Sequence, residues 1–95
     1  MGLGYAISEE FILAQGRLVT DTLAAVGVPV ARNAPPVEVM LVEDPDPRGP
    51  YGAKGIAEAA AIPTAPAITN AIYDAVGVRI RRLPATPDRV AAAGL

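Results

Sequence analysis

Residues 52–63 read GAKGIAEAAAIP, and this stretch is the most informative part of the chain. Two glycines, Gly52 and Gly55, open a loop that leads into an alanine-rich segment that favours helix, and a single carboxylate, Glu58, stands at the junction. Backbone N–H groups in such a loop are free to hold an anionic ligand. A carboxylate beside them is able to act as a base. Taken alone, however, a glutamate before a helix is more often a solvated residue favoured by the helix dipole.

The composition of the chain favours a piece that packs against more protein. The chain has 95 residues, enough for one small domain of marginal stability. Apolar residues make up 52% of it, but alanine supplies much of that share, and the large aromatic residues that anchor an independent core are one Phe and three Tyr.

Several functions are disfavoured by residue types that the chain lacks. It contains no cysteine and no histidine, so we expect no disulfide, no iron–sulfur cluster in this chain and no metal held by its own side chains. A net charge of −2 gives no reason to expect nucleic acid as a partner. No apolar run approaches the roughly 18–20 residues that span a bilayer, and the N-terminus lacks signal-peptide features. We therefore expect no membrane association and a cytoplasmic location.

The first half of the chain predicts one hairpin and one strand. Residues 2–10 form a helical or irregular lead-in, and residues 11–19 read as a short hairpin with Gly16 at its turn. Residues 20–36 are ambiguous. Residues 37–42, VEVMLV, alternate as the clearest strand, and the three prolines that follow predict a loop over 43–50.

The second half predicts two helices around a strand. Thr64 is the expected N-cap of the first helix, which carries a stripe formed by Ile68, Ile72 and Val76 and ends at Gly77. Residues 78–83 alternate as a strand with a basic face, and Thr86 caps a terminal helix that reaches about Ala93. The chain therefore reads as part of an α+β domain, with a short hairpin, isolated strands and two C-terminal helices.

The loop around Glu58 resembles a motif of the molybdopterin-binding (large) subunit of the xanthine dehydrogenase/aldehyde oxidase family, the molybdenum hydroxylases. Residues 52–58, GAKGIAE, are similar to the family pattern G-A-K-G-[VI]-G-E, which carries the glutamate beside the molybdenum. Residues 2–10, GLGYAISEE, resemble the family's G-x-G-x-A-x-x-E-[EL] segment. Residues 43–50 and 65–75 are similar to the loop leading to the active site and to the terminal helix of that family. Since the resemblance spans nearly the whole chain, residues 1–95 are identified as the C-terminal portion of such a domain.

This resemblance implies a role for each residue of the loop. Glu58 is expected to be the catalytic base, while Lys54, Gly55, Ile56 and Ala57 lie beside the cofactor. The implied cofactor is molybdopterin-bound molybdenum shared with a partner chain. The implied partners are a larger molybdopterin-binding chain and, through it, iron–sulfur and flavin subunits. The implied substrate is a small molecule, an aldehyde or an N-heteroaromatic compound.

Two departures from the family pattern bear on activity. Ala57 stands where the family has a glycine, which would cost about 1 kcal/mol and displace Glu58 if that position required a left-handed backbone or a close backbone approach. The chain begins at Met1, where the family carries a glutamine that hydrogen-bonds a molybdenum ligand. Most of the family's cofactor-binding domain also lies upstream of the matching region, so we do not expect this chain to be active alone.

Alternative interpretations remain for the function and for several charged residues. The alternative to a catalytic role is that the chain is a non-catalytic remnant or interaction module of the same family. An independent hydrolase is disfavoured, because Ser8 is the only serine and no histidine is present to activate it. We expect Lys54 to be a surface lysine, an anchor for the loop or a residue that balances charge near the cofactor. The glutamates at 9 and 10 and the arginines at 79, 81 and 82 are expected to be solvated.

Overall fold

The computed structural model describes residues 1–94 and contains short helices and one hairpin. The elements in chain order are α1 (Gly2–Ile7), β1 (Leu13–Ala14), β2 (Arg17–Leu18), α2 (Leu23–Val26), two 3₁₀ turns (Ala31–Asn33 and Pro50–Gly52), α3 (Thr64–Val76) and α4 (Pro87–Ala93). The fold is therefore mixed α+β, as the sequence predicts, and the helical lead-in and both C-terminal helices are confirmed.

The predicted hairpin forms with glycine at its turn. Strands β1 and β2 pair antiparallel, with Leu13 opposite Leu18 and Ala14 opposite Arg17. The two turn residues, Gln15 and Gly16, have φ values of 51° and 75°. Positive φ at both positions is the geometry of a type I′ turn, whose twist matches that of the paired strands.

Helix α3 ends as predicted but begins differently. Gly77 adopts a left-handed conformation at φ 72°, and its N–H donates to the Tyr73 carbonyl at 2.8 Å. The prediction of Thr64 as N-cap is wrong, because Thr64 is already helical and its hydroxyl donates backwards to the Ala60 carbonyl at 3.2 Å. A turn already precedes the helix, so the cap position falls on Pro63.

The small core forms where α1 meets α3 and the segment before α4. A Cβ added to Gly2 would lie 2.6 Å from Cβ of Thr64, so only glycine permits this approach of the two helices. Ala6, Ala65 and Ala85 are buried there. The Ala85 N–H donates to the Ala6 carbonyl at 2.7 Å, which ties the C-terminal segment to α1.

Helix α2 is fastened to the end of α1 through Gly27. This glycine has φ 91°, and a Cβ there would lie 2.5 Å from the Ser8 carbonyl oxygen. The Ser8 hydroxyl in turn donates to the Gly27 carbonyl at 2.7 Å, and the Glu10 N–H donates to the Val26 carbonyl at 2.9 Å. The left-handed turn at Gly27 thus brings two backbone segments into direct contact.

Helix α4 is fixed by its predicted cap and by an ion pair. The Thr86 side chain accepts a hydrogen bond from the Arg89 N–H at 3.3 Å, which confirms the cap. The Arg89 guanidinium pairs with Glu10 and donates to the Pro84 carbonyl at 2.9 Å. The expectation that Glu10 is solvated is therefore wrong: its carboxylate is half-buried and joins the two ends of the chain.

The two predicted strands do not form within the described residues. Residues 37–42 have no assigned secondary structure and no pairing partner, and residues 78–83 are irregular. Alternation predicts only that a segment suits a sheet, whereas a strand also needs a second segment to pair with. The arginines are not simply solvated either: Arg79 lies over the Tyr73 ring at 3.6 Å and donates to Asn70 at 2.8 Å, and Arg82 lies 3.8 Å from Glu10.

The chain is more open than an independent domain. Its radius of gyration is 17.2 Å, against about 13 Å for a compact domain of 100 residues. The buried apolar residues in the part described are three alanines and one valine. No described helix is long and apolar enough to cross a membrane.

The contact at Gly27 gives a test of this packing. We expect Gly27→Ala to lower the free energy of unfolding by about 2 kcal/mol or more, because alanine is strained at left-handed φ and its Cβ meets the Ser8 carbonyl. Denaturation followed by circular dichroism measures the change. Gly55→Ala is the matched control, since a Cβ there meets nothing within 4 Å; we expect a change within about 0.5 kcal/mol. Equal effects of the two substitutions would contradict the packing described.

Candidate functional site

The loop that carries Glu58 lies between a 3₁₀ turn and the first turn before α3. After Pro50–Gly52 the backbone is irregular over residues 53–56 and bends at Ala57 and Glu58. The Ala61 N–H then donates to the Glu58 carbonyl at 2.8 Å, and the Ile62 N–H donates to the same oxygen at 3.3 Å. The Glu58 backbone therefore starts the turn that continues into α3, and the position of the helix fixes the position of this residue.

The Glu58 side chain is exposed and makes no hydrogen bond or ion pair within residues 1–94. The described chain contains no group of three or more acidic side chains close enough to hold a metal ion. The Glu58 side chain is thus open to solvent on the described part of the chain. It is not placed as part of a metal-ligand cluster.

The loop before Glu58 offers backbone donors. The N–H groups from Lys54 to Ala60 have no acceptor in the described part of the chain, and residues 54–57 are all exposed. Consecutive unpaired N–H groups attract anionic ligands, since each adds a fixed partial positive charge. This donor set therefore fits an anionic group of a ligand.

Ala57 does not strain the loop. The non-glycine residues of the described chain with positive φ are Gln15 and Tyr51, so Ala57 has the backbone conformation of an ordinary residue. The part of the expected penalty that depends on a left-handed backbone is therefore absent. The methyl group of Ala57 is exposed, as are Gly55 and Ile56.

Lys54 anchors the loop through an ion pair that spans ten residues. Its ammonium group donates to the Asp44 carboxylate. Nearby, the Asp46 N–H donates to the Gly52 carbonyl at 3.1 Å, and a Cβ on Gly52 would lie 2.7 Å from Cβ of Pro45. Residues 44–54 therefore close on themselves, which favours the anchoring interpretation of Lys54 over that of a plain surface lysine.

Asp44 and Asp46 lie in the loop before Glu58, and the sequence analysis did not predict their contacts. Asp46 accepts a hydrogen bond from the Arg48 N–H at 2.8 Å, and this Asx turn is typical of Asp two residues before its backbone donor. The Asp-Pro-Asp-Pro pattern at 44–47 is a local signal for that turn. The Asp44–Lys54 pair has no local signal, because nothing in the sequence links two residues at that separation.

Comparison with known proteins shows that the chain is similar to a segment of much longer proteins. The chain is 38% identical over 93 residues to the aldehyde oxidoreductase molybdenum-binding subunit PaoC of Escherichia coli, covering 95% of this chain and 13% of that subunit. It is 40% identical over 90 residues to the aldehyde oxidoreductase of Megalodesulfovibrio gigas, covering 94% of this chain and 10% of that protein. No protein-family model matches the chain.

A solved structure shows the same backbone arrangement. The crystal structure of quinoline 2-oxidoreductase from Pseudomonas putida 86 superposes with a TM-score of 0.84 at 31% identity, covering 98% of this chain and 12% of that one. The fold and loop are thus those of a segment of molybdenum-binding oxidoreductase subunits. The resemblance to the xanthine dehydrogenase/aldehyde oxidase family is confirmed, and the chain spans about an eighth or less of the length of these relatives.

Hydrogen exchange tests the availability of the loop donors. In the 95-residue chain by itself we expect the amides of Gly55, Ile56 and Ala57 to exchange close to the rate of an unstructured peptide, because they are exposed and unpaired. The Gly77 amide is the internal control, since it donates to Tyr73 and is expected to be protected. NMR measures both in one sample. Protection of the loop amides at the level of Gly77 would show that the chain itself already occupies these donors.

Proposed function

We propose that the chain is part of a molybdenum hydroxylase and supplies the active-site base, Glu58. Residues 1–95 then form the C-terminal portion of a molybdopterin-binding domain, and a larger molybdopterin-binding chain holds most of the cofactor. The observation that carries the proposal is the run of free backbone donors that leads directly to Glu58. The homology to molybdenum-binding subunits supports this interpretation.

The loop residues have separate tasks in this proposal. When bound, the molybdopterin-held molybdenum supplies the redox chemistry. The N–H groups of Gly55, Ile56 and Ala57 donate to anionic groups of the cofactor, and the Lys54–Asp44 pair keeps the loop closed so that these donors stay aligned. The Glu58 carboxylate takes up the proton released during oxidation of the substrate, since carboxylates are among the side chains that act as general bases.

The remaining partners follow from the same proposal. The substrate is an aldehyde or an N-heteroaromatic compound. Electrons leave through iron–sulfur and flavin subunits that associate with the larger chain. Membership of a multi-subunit assembly is supported by a relative from Paenarthrobacter nicotinovorans, which is named as the gamma subunit of the 6-hydroxypseudooxynicotine dehydrogenase complex. A cytoplasmic location fits this assembly.

A second candidate function is a non-catalytic interaction module of the same family. One observation favours it: no side chain of the described residues holds the Glu58 carboxylate in a fixed direction. A base acts efficiently only when it is held close to the proton that it removes. In the catalytic proposal this orientation comes from the partner chain, whereas in the alternative Glu58 stays solvated.

Substitution of Glu58 in the assembled complex separates the two functions. We expect Glu58→Gln to lower the turnover of an aldehyde substrate by at least about 100-fold, since general-base catalysis typically contributes 10²–10⁴-fold. The molybdenum content of the complex should stay unchanged, because glutamine keeps the shape of the side chain. Steady-state kinetics and metal analysis of the same preparation give both values.

Asp74→Asn is the matched control, since Asp74 is an exposed carboxylate on α3 outside the loop. We expect it to keep full turnover. Unchanged turnover of the Glu58→Gln complex, with molybdenum present, would remove Glu58 from the mechanism and favour the non-catalytic module.

A further inference from the structure

Residues 37–42 form no helix, bend or paired strand, are apolar except for Glu38, and are all exposed. Val37 and Val39 are each 75% exposed, and Met40, Leu41 and Val42 are between 87% and 91% exposed. Apolar side chains in a continuous run at this level of exposure are unfavourable in water, and large exposed apolar patches mark interaction sites. A sequence of this type is ordinarily found inside a sheet.

The backbone of the same segment is also unpaired. From Pro35 to Pro45 no backbone N–H or carbonyl takes part in a backbone hydrogen bond with any described residue. Prolines stand at 35, 36, 45 and 47, but none lies within 37–42, so each of these six residues keeps its N–H. The segment is therefore able to form ladder hydrogen bonds on both of its edges.

We propose that residues 37–42 are a strand that inserts into a β-sheet of the remaining, larger part of the molybdenum-binding subunit. This rests on the proposed function, because the partner is the chain that function requires. In an extended segment Val37, Val39 and Leu41 share one face, and Met40 and Val42 share the other with a single carboxylate, Glu38. Apolar residues on both faces are typical of a strand that is covered on both sides of its sheet.

A second copy of this chain is a weaker candidate for the partner that pairs with residues 37–42. Two copies paired through residues 37–42 would form an isolated two-stranded ribbon, which is marginally stable at best and leaves both apolar faces in water. The larger part of the subunit is the better match in size. The matched oxidoreductase has the same arrangement over only 12% of its chain, so nearly nine-tenths of such a subunit lies outside this segment.

Pairing of this strand would also fix the loop that follows it. Residue 42 is two positions before Asp44, which holds Lys54 through the ion pair. A strand anchored in the partner's sheet sets the position of Asp44 and, through Lys54, that of the loop before Glu58. Main-chain docking of this kind is β-strand addition, in which ladder hydrogen bonds give affinity and alternate side chains give specificity.

Proline substitution tests the docking without disturbing the rest of the chain. Leu41→Pro removes one N–H from a residue that makes no hydrogen bond here, so its circular dichroism spectrum should match that of the wild-type chain. The binding partner in this test is the larger molybdenum-binding chain from the same organism. We expect the Leu41→Pro chain to bind it at least about 10-fold more weakly than the wild-type chain does, because a strand interior does not tolerate proline. Leu41→Val is the matched control and should bind normally, because it keeps the N–H and the apolar side chain.

Hydrogen exchange followed by mass spectrometry of the wild-type complex gives the direct readout. We expect the amides of residues 37–42 to exchange at least about 100-fold more slowly in the complex than in the free chain, because ladder hydrogen bonds protect them. Unprotected amides in a complex that contains molybdenum would overturn the docking proposal and leave the function of Glu58 standing. Protection already present in a dimer of the free chain would overturn it too and assign the strand to a second copy. Protected amides in a complex whose Glu58→Gln variant retains turnover would uphold docking and refute the catalytic proposal.

Discussion

The close approach of α1 to α3 is the contact on which the rest of this structure depends. Gly2 permits it, because any side chain at that position would collide with Thr64 at the start of α3. The buried residues around the contact are Ala6, Ala65 and Ala85. The core is thus formed by small side chains, whereas most cores are formed by large apolar ones. Since the turn that begins at Glu58 continues into α3, the same contact determines where the candidate base stands.

A core of this size leaves much of the chain without support of its own. Burial of a few alanine side chains stabilises a fold far less than burial of leucine or phenylalanine, and the exposed segment at 37–42 contributes nothing to it. Ion pairs and backbone hydrogen bonds, such as Arg89 with Glu10 and Ala85 with Ala6, hold the ends together. The described residues thus bury few apolar side chains and expose many, and the chain matches only a small share of each relative.

Local sequence signals predicted the elements that depend on local contacts. The hairpin follows from Gly16, the end of α3 from Gly77 and the start of α4 from Thr86, and each of these residues acts through neighbours within a few positions. The strands predicted at 37–42 and 78–83 do not form in the described chain, because strand formation depends on a pairing partner, which local alternation does not reveal. The same limit applies to the candidate site: the motif around Glu58 is visible in the sequence and its role stays a prediction, whereas the Asp44–Lys54 and Glu10–Arg89 pairs join residues with no local pattern between them.

The proposed function requires the exposed carboxylate of Glu58 to become an interior group once the subunit is complete. A crystal or cryo-electron microscopy structure of the chain assembled with the larger molybdenum-binding chain tests this most directly. We expect a Glu58 carboxylate that faces the molybdenum cofactor, shielded from bulk water, with the N–H groups of residues 55–57 on the same side. A well-ordered cofactor with the Glu58 side chain still pointing into solvent would contradict the proposed role of this residue.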